Sequence, residues 1–237
     1  MAYIDGFVIP VRTTDKQAFI DHGRRVDKFF IDYGALRVVE GWGDDVPVGK
    51  VTDFARSVQA TDDESVVFSW IEWPDKPTRN AAYKALESNA GMMAEPMPFD
   101  GKRMIYGGFA PILDAKGAGT TGYADGFVTP VTPDNRAAYI AMADKAAAKF
   151  LAYGAIRSSE NWGDDVPDGK VTDFRRSVKA EGDEAVVFSW VEWPDKTVRD
   201  AGWEKMMADP DMRPEAMPFD GKRMVWGGFA PVYVGEK

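Results

Sequence analysis

The apolar positions of this chain follow two rhythms, one of period two and one of three to four residues, and the whole series occurs twice. A strand-like opening, Tyr3 to Val11, carries Pro10 near its end, and Tyr123 to Val131 carries Pro130 likewise. Next, Phe19, Val26, Phe29, Phe30 and Tyr33 recur at helical spacing, and Tyr139, Met142, Ala146, Phe150 and Tyr153 keep the stripe in the second series. Thr132 before Pro133 predicts a helix start, and Gly34 and Gly154 predict the helix ends. A strand over Ala35 to Trp42 leads to a predicted turn, Gly43-Asp44-Asp45-Val46-Pro47, then to an extended piece from Val51 to Val58. The apolar run Val66 to Trp73 is the clearest strand. A second helix begins near Asp75, runs over Tyr83 and Leu86 and stops before Gly91; its partner covers Trp203, Met206 and Met207 and stops at Asp209-Pro210. Arg103 to Leu113 closes the series as a strand.

Tyr3 to Leu113 thus reappears as Tyr123 to Tyr233 without a gap, with more than half of the aligned positions identical. Two copies of this length form a duplicated domain and not a solenoid. The division expected is 1–113 for the first repeat, 114–122 for a glycine-rich flexible linker and 123–237 for the second. The order β-α-β-β-α-β, with an extra extended piece, is the ferredoxin-like arrangement, an α+β fold. Such a sheet has helices on one face and a bare second face. The other repeat is the expected cover, which packs the two repeats sheet to sheet as a barrel inside one chain.

Composition narrows the function classes. With 38 acidic against 29 basic residues the net charge is -9, which disfavours nucleic acid and anionic membrane as partners. No cysteine is present, so thiolate metal sites and a cysteine nucleophile are excluded. No run approaches the roughly 18 apolar residues of a membrane span, and the opening residues have no leader pattern, so a cytoplasmic location is expected.

The blocks Trp42-Gly-Asp-Asp-Val-Pro47, Gly49-Lys-Val-Thr-Asp-Phe54, Val66-Val-Phe-Ser-Trp70 and Met97-Pro-Phe-Asp-Gly-Lys-Arg-Met104 resemble the bacterial YbaA-like family, domain-of-unknown-function family 1428. The resemblance covers nearly all of each repeat. It implies a place in the dimeric α/β-barrel superfamily, in which two ferredoxin-like chains press their sheets together; here both halves would share one polypeptide. Cofactor-free monooxygenases, haem-handling proteins, lactone isomerases and ligand sensors share that fold, which therefore assigns no chemistry.

Among the chemistry-bearing residues, His22 is the single histidine and its counterpart is Met142, which favours a structural role and disfavours haem. Asp44-Asp45 and Asp164-Asp165 read as turn residues bonding nearby backbone amides, outside any calcium-loop spacing. No metal and no cofactor are implied. The notable set is charge embedded in strands: Asp5, Arg37, Glu40, Glu72 and Arg103, repeated as Asp125, Arg157, Glu160, Glu192 and Arg223. Such groups either pair across the pseudo-twofold or bind a polar ligand. Strand alternation puts Phe68, Trp70 and Glu72 on one face and Ile71 and Trp73 on the other. The expected ligand-binding residues are Asp5, Glu72 and Arg103 walled by Trp70, with Asp125, Glu192 and Arg223 walled by Trp190. The basic pair Lys102-Arg103 would suit a carboxylate or phosphate.

The expected function is small-molecule binding, in pockets between each sheet and its helices or at the seam between repeats. A cofactor-independent monooxygenase or isomerase would be its enzymatic form. The alternative is a non-catalytic module pairing two chains edge to edge, a homodimer of pseudo-dimers. Val38-Val39 against Ser158-Ser159, Tyr83 against Trp203 and Tyr106 against Trp226 would make two pockets unequal.

Overall fold

The computed structural model describes residues 2–212 and 217–237; Met1 and the part of the second repeat at 213–216 lie outside the described residues. The first repeat runs β1 (Tyr3–Arg12), α1 (Lys16–Asp32), β2 (Arg37–Asp45), α2 (Phe54–Ser57), β3 (Glu64–Trp73), α3 (Lys76–Leu86), α4 (Ala90–Met93) and β4 (Ile105–Lys116). The second runs β5 (Tyr123–Val131), α5 (Arg136–Ala152), β6 (Arg157–Asp165), α6 (Phe174–Ser177), β7 (Ala185–Trp193), α7 (Lys196–Ala208) and β8 (Val225–Glu236).

All eight strands close into one antiparallel barrel in the order β1-β3-β2-β8-β5-β7-β6-β4. Each half contributes four strands in ferredoxin-like order. The halves join by hydrogen-bonded edges, β2 with β8 and β4 with β6, with register shifts on both seams. Closure removes the exposed edges that an open four-stranded sheet would leave. The chain is an intramolecular pseudo-dimer.

Alternation decides what fills the barrel. The inward positions of β3 and β7 are Phe68 with Trp70 and Phe188 with Trp190, all with no exposure. Phe68 and Phe188 stack at 4.5 Å across the pseudo-twofold, and Trp70 and Trp190 stack at 4.8 Å. A Cβ on Gly6 or Gly126 would lie 2.8 Å and 2.9 Å from the rings of Phe188 and Phe68, so the strands come this close to the aromatic column only without side chains. The outward positions Ile71, Trp73, Val191 and Trp193 pack instead beneath the helices.

Three expectations change. Val51 to Val58, read as extended, contains α2: Asp53 caps it by accepting from the Arg56 amide at 2.8 Å, and Phe54 and Val58 on one face plug the barrel end. The Gly43–Pro47 turn is displaced, since β2 continues to Asp45. Asp44 accepts from Tyr123 (2.9 Å) and Lys196 (2.5 Å) and Asp45 from Arg199 (2.8 Å), all in the other repeat. Asp164 and Asp165 return the contact to Tyr3, Lys76 and Arg79. These aspartates latch the halves together and leave the nearby backbone amides to other partners. Finally, β4 runs to Lys116, and the glycine-rich stretch after it is tethered through Gly117 N–H to the Ile156 carbonyl and Gly122 N–H to that of Trp193.

Candidate functional site

The residues expected to converge lie in three places. Glu72 and Glu192 face inward at one barrel mouth beside Trp70 and Trp190, whose indole N–H groups donate to them at 3.2 and 2.9 Å. Arg157 donates to both oxygens of Glu72 (2.7 and 2.9 Å), and Arg37 to both oxygens of Glu192 (2.9 and 2.8 Å). Each arginine thus pairs with the glutamate of the opposite repeat. Burial alone would raise the Glu192 carboxyl, but Arg37, Thr121 and Arg157 outweigh it and hold it below the usual range. A recess of about 490 Å³ lies over this quartet, lined by Arg37, Arg157, Lys116, Thr121 and Glu236. Its arginines are spent on protein carboxylates, and the two tryptophans stack on each other with no gap for a ligand.

Asp5 and Asp125 face outward, under the helices. Asp5 accepts from Trp73 (2.7 Å) and Arg79 (2.9 Å); Asp125 accepts from Trp193 (2.9 Å), Trp203 (2.7 Å) and Arg199 (2.8 Å). Burial raises both carboxyls, and these donors hold the rise back. Arg103 and Arg223 sit at the opposite end of the barrel from Glu72. Arg103 forks onto Glu64 (2.6 and 2.7 Å) and also bonds Asp100, and Arg223 does the same with Glu184 and Asp220. Glu64 and Glu72 are eight residues apart on one strand, roughly 26 Å at about 3.3 Å per residue. Asp5, Glu72 and Arg103 therefore form no single site, and the carboxylate-binding role expected of Arg103 is taken by the protein's own glutamate.

The arrangement suited to a ligand is in the second repeat, between the outer face of the sheet and helices α5 and α7. A cavity of about 230 Å³ opens there, walled by Phe127, Met142, Phe150, Trp203, Met206 and Phe219. Helical spacing explains the wall: Tyr139, Ala143 and Ala146 turn one face of α5 to the sheet, and small alanines leave room beneath it. Trp203 is fixed by its bond to Asp125.

One carboxyl interrupts this apolar surface. Glu160, on β6, accepts at Oε2 from Tyr139 (2.7 Å) and from Ser189. Among the described residues no protein group donates to its Oε1, and Glu160 lines the cavity. Burial raises its carboxyl above the usual range, against the bonds from Ser189 and Tyr139, and the same burial pushes the Tyr139 hydroxyl well up. A half-buried carboxyl raised above its usual range, at the wall of an apolar cavity, can accept a proton or a hydrogen bond from whatever lies beside it.

In the sequence Glu160 is legible as a strand-embedded charge and Tyr139, Met142, Trp203 and Met206 as helix-face residues, but nothing in their spacing brings them together. The usable signal was the alanine content of the α5 stripe, where the first copy carries Val26 and Asp27 in place of Ala146 and Ala147. His22 lies buried on α1 with its ring edge-on to Phe99 at 6.0 Å, and burial lowers its pKa. Among the described residues no helix is long and apolar enough to cross a membrane.

Several known proteins share this architecture or its sequence. A solved proposed monooxygenase from Lactobacillus acidophilus NCFM superposes with a TM-score of 0.57 at 8% identity, covering 100% of this chain and 97% of its own. An anthrone oxidase-like protein superposes with a TM-score of 0.55 at 13% identity over 99% of this chain and 93% of its own. At such identities the likeness is one of fold. In sequence, the uncharacterized protein YbaA of Escherichia coli K12 is 59% identical over 112 residues, which is 46% of this chain and 96% of the relative. The model of the family described as "Protein of unknown function (DUF1428)" matches residues 2–101 and again 122–221. The chain therefore belongs to that family and carries two of its domains in tandem, closed into one barrel.

Proposed function

We propose that this protein binds a small, mostly apolar molecule in the second-repeat cavity, with Glu160 receiving the molecule's polar end. The observation that carries the reading is the pairing of an open, methionine- and aromatic-lined cavity with one carboxyl whose Oε1 has no donor among the described residues. The volume is below the roughly 300 Å³ at which drug-sized ligands begin, which suits one or two fused rings. Methionines adapt to a ring and make favourable sulfur–aromatic contacts. Proton transfer to Glu160 is the chemistry the site could add to binding. The descriptions of the two fold relatives as a proposed monooxygenase and an anthrone oxidase-like protein make oxidation of an aromatic substrate the first reaction to assay.

The test is titration of the full chain with 2-naphthol, followed by calorimetry. Saturable binding that weakens at least tenfold in Glu160→Gln, with Glu72→Gln and Glu192→Gln unchanged, supports the site. Binding that ignores Glu160→Gln, or that falls with the barrel-mouth variants, refutes it.

A further inference from the structure

The two repeats differ in what donates to the glutamate beneath the first helix. In the second repeat Tyr139 and Ser189 share Oε2 of Glu160 and leave Oε1 to the cavity. In the first, Glu40 is 8% exposed and accepts from Ser69, and the tyrosine is replaced by Phe19. Asp27 of α1 reaches the same place. It is 5% exposed, and its Oδ2 has no hydrogen-bond partner. A Cβ built on Gly23 would lie 3.1 Å from Asp27 Oδ2 and 3.8 Å from Glu40 Cγ, so the two carboxyls flank one point of the helix.

Among the described residues no cation pairs with either carboxyl. The groups beside the pair are Ser69 of β3 and Tyr233 of β8; Arg24 of α1, near Tyr233, has a side chain 61% exposed and engaged with Asp21. Two neighbouring buried carboxyls without a cation cannot both ionise, so at least one of them holds a proton. The protonated carboxyl is an acidic O–H donor set in an apolar surround.

We infer that Asp27 is a built-in occupant of the first repeat, doing for Glu40 what the ligand does for Glu160, so that the ligand of the second repeat carries an acidic hydroxyl, as a phenol, enol or carboxylic acid does. The inference rests on the cavity reading given above. The substitutions between repeats fit it as a set. Asp27 becomes Ala147, which removes the internal donor, and Val26 becomes Ala146, which widens the space under the helix. Gly23 becomes Ala143, a change that the aspartate itself would have opposed, since a Cβ there would press on its oxygen. An acidic hydroxyl entering the cavity meets Oε1 of Glu160 from the side of α5 on which Ala147 stands in place of Asp27.

The test compares 2-naphthol with 2-methoxynaphthalene, which keeps the rings and loses the donor, on the full chain and on Ala143→Gly/Ala147→Asp, which rebuilds the first repeat's carboxyl in the second. The expected result is one equivalent of 2-naphthol bound, at least tenfold weaker binding of the methoxy compound, and loss of 2-naphthol binding in the double variant. Equal affinity of the two compounds, or undiminished binding to a folded double variant, overturns the inference and leaves the cavity reading standing. Failure of the unmodified protein to bind either compound overturns the cavity reading as well. If the double variant does not fold, the comparison of the two compounds on the unmodified protein decides alone.

Discussion

The two sheet–helix interfaces differ far more than the two halves of the barrel they cover. Inside the barrel, aromatic residues meet their own counterparts across the pseudo-twofold, Phe68 on Phe188 and Trp70 on Trp190. Each half supplies the other's wall, so a change in one copy disturbs both. Under the helices, where α1 also packs on β8 of the other repeat and α5 on β4, the copies have separated: His22, Gly23, Val26 and Asp27 stand against Met142, Ala143, Ala146 and Ala147. The copies have kept the aromatic column that meets itself at the axis and have diverged beneath the helices. The first interface holds a buried carboxyl pair, whereas the second opens on a cavity.

This contrast predicts where mutations will act alike in the two copies and where they will not. The largest effect belongs to the shared column: Phe68→Ala and Phe188→Ala should each cost about 3–5 kcal/mol by denaturant unfolding, because each leaves a void in a fully buried stack. The two costs should agree closely, and their combination should be non-additive. A large difference between them would mean that the halves do not share one core.

The next effect is confined to the first repeat and is read from pH. Burial raises Asp27 well above its ordinary value and pushes Glu40 up to about 7. Acids raised on folding give stability that is fully present below the ordinary carboxyl range, about 4 to 4.5, and lost as pH rises through the folded values. The thermal midpoint should therefore fall between about pH 4.5 and 7, and Asp27→Asn, with a permanent amide donor, should flatten the fall. Asp5, Asp125 and Glu160 are raised as well, so part of the slope survives. An unaltered slope in Asp27→Asn would deny that this pair holds a proton in the folded protein.

The smallest effect is at the latch between halves. Lys76 and Lys196 are about half exposed, so Lys76→Ala and Lys196→Ala should each cost only about 0.2–1 kcal/mol, and equally. A marked inequality would show that the latch, like the interfaces, has diverged.

Much of this was legible in the letters. Period-two alternation in Val66 to Trp73 separates Phe68, Trp70 and Glu72 from Ile71 and Trp73, and the barrel wall separates them in the same way. Repetition of the element order gives two ferredoxin-like halves. What could not be read is non-local: that β2 takes β8 as its neighbour, that Arg37 crosses to Glu192, and that Asp44 is latched to Lys196. Val51 to Val58 misleads because four helical residues give too short a period to outweigh their valines, although Asp53 marks the cap. For the site, charge in strands pointed to Glu72 and Glu160 equally. Only burial distinguishes a glutamate clamped by arginine from one facing a cavity, and burial is set by residues such as Ala146 and Trp203 on distant helices.

The most direct test of the asymmetry is a crystal structure of the protein soaked with 2-naphthol. The account predicts the rings between Met142, Trp203 and Phe219, the hydroxyl within hydrogen-bond distance of Glu160 Oε1, and no naphthol beside Glu40. Naphthol seated beside Glu40, over the Arg37–Glu192 pair, or equally in both repeats would contradict it.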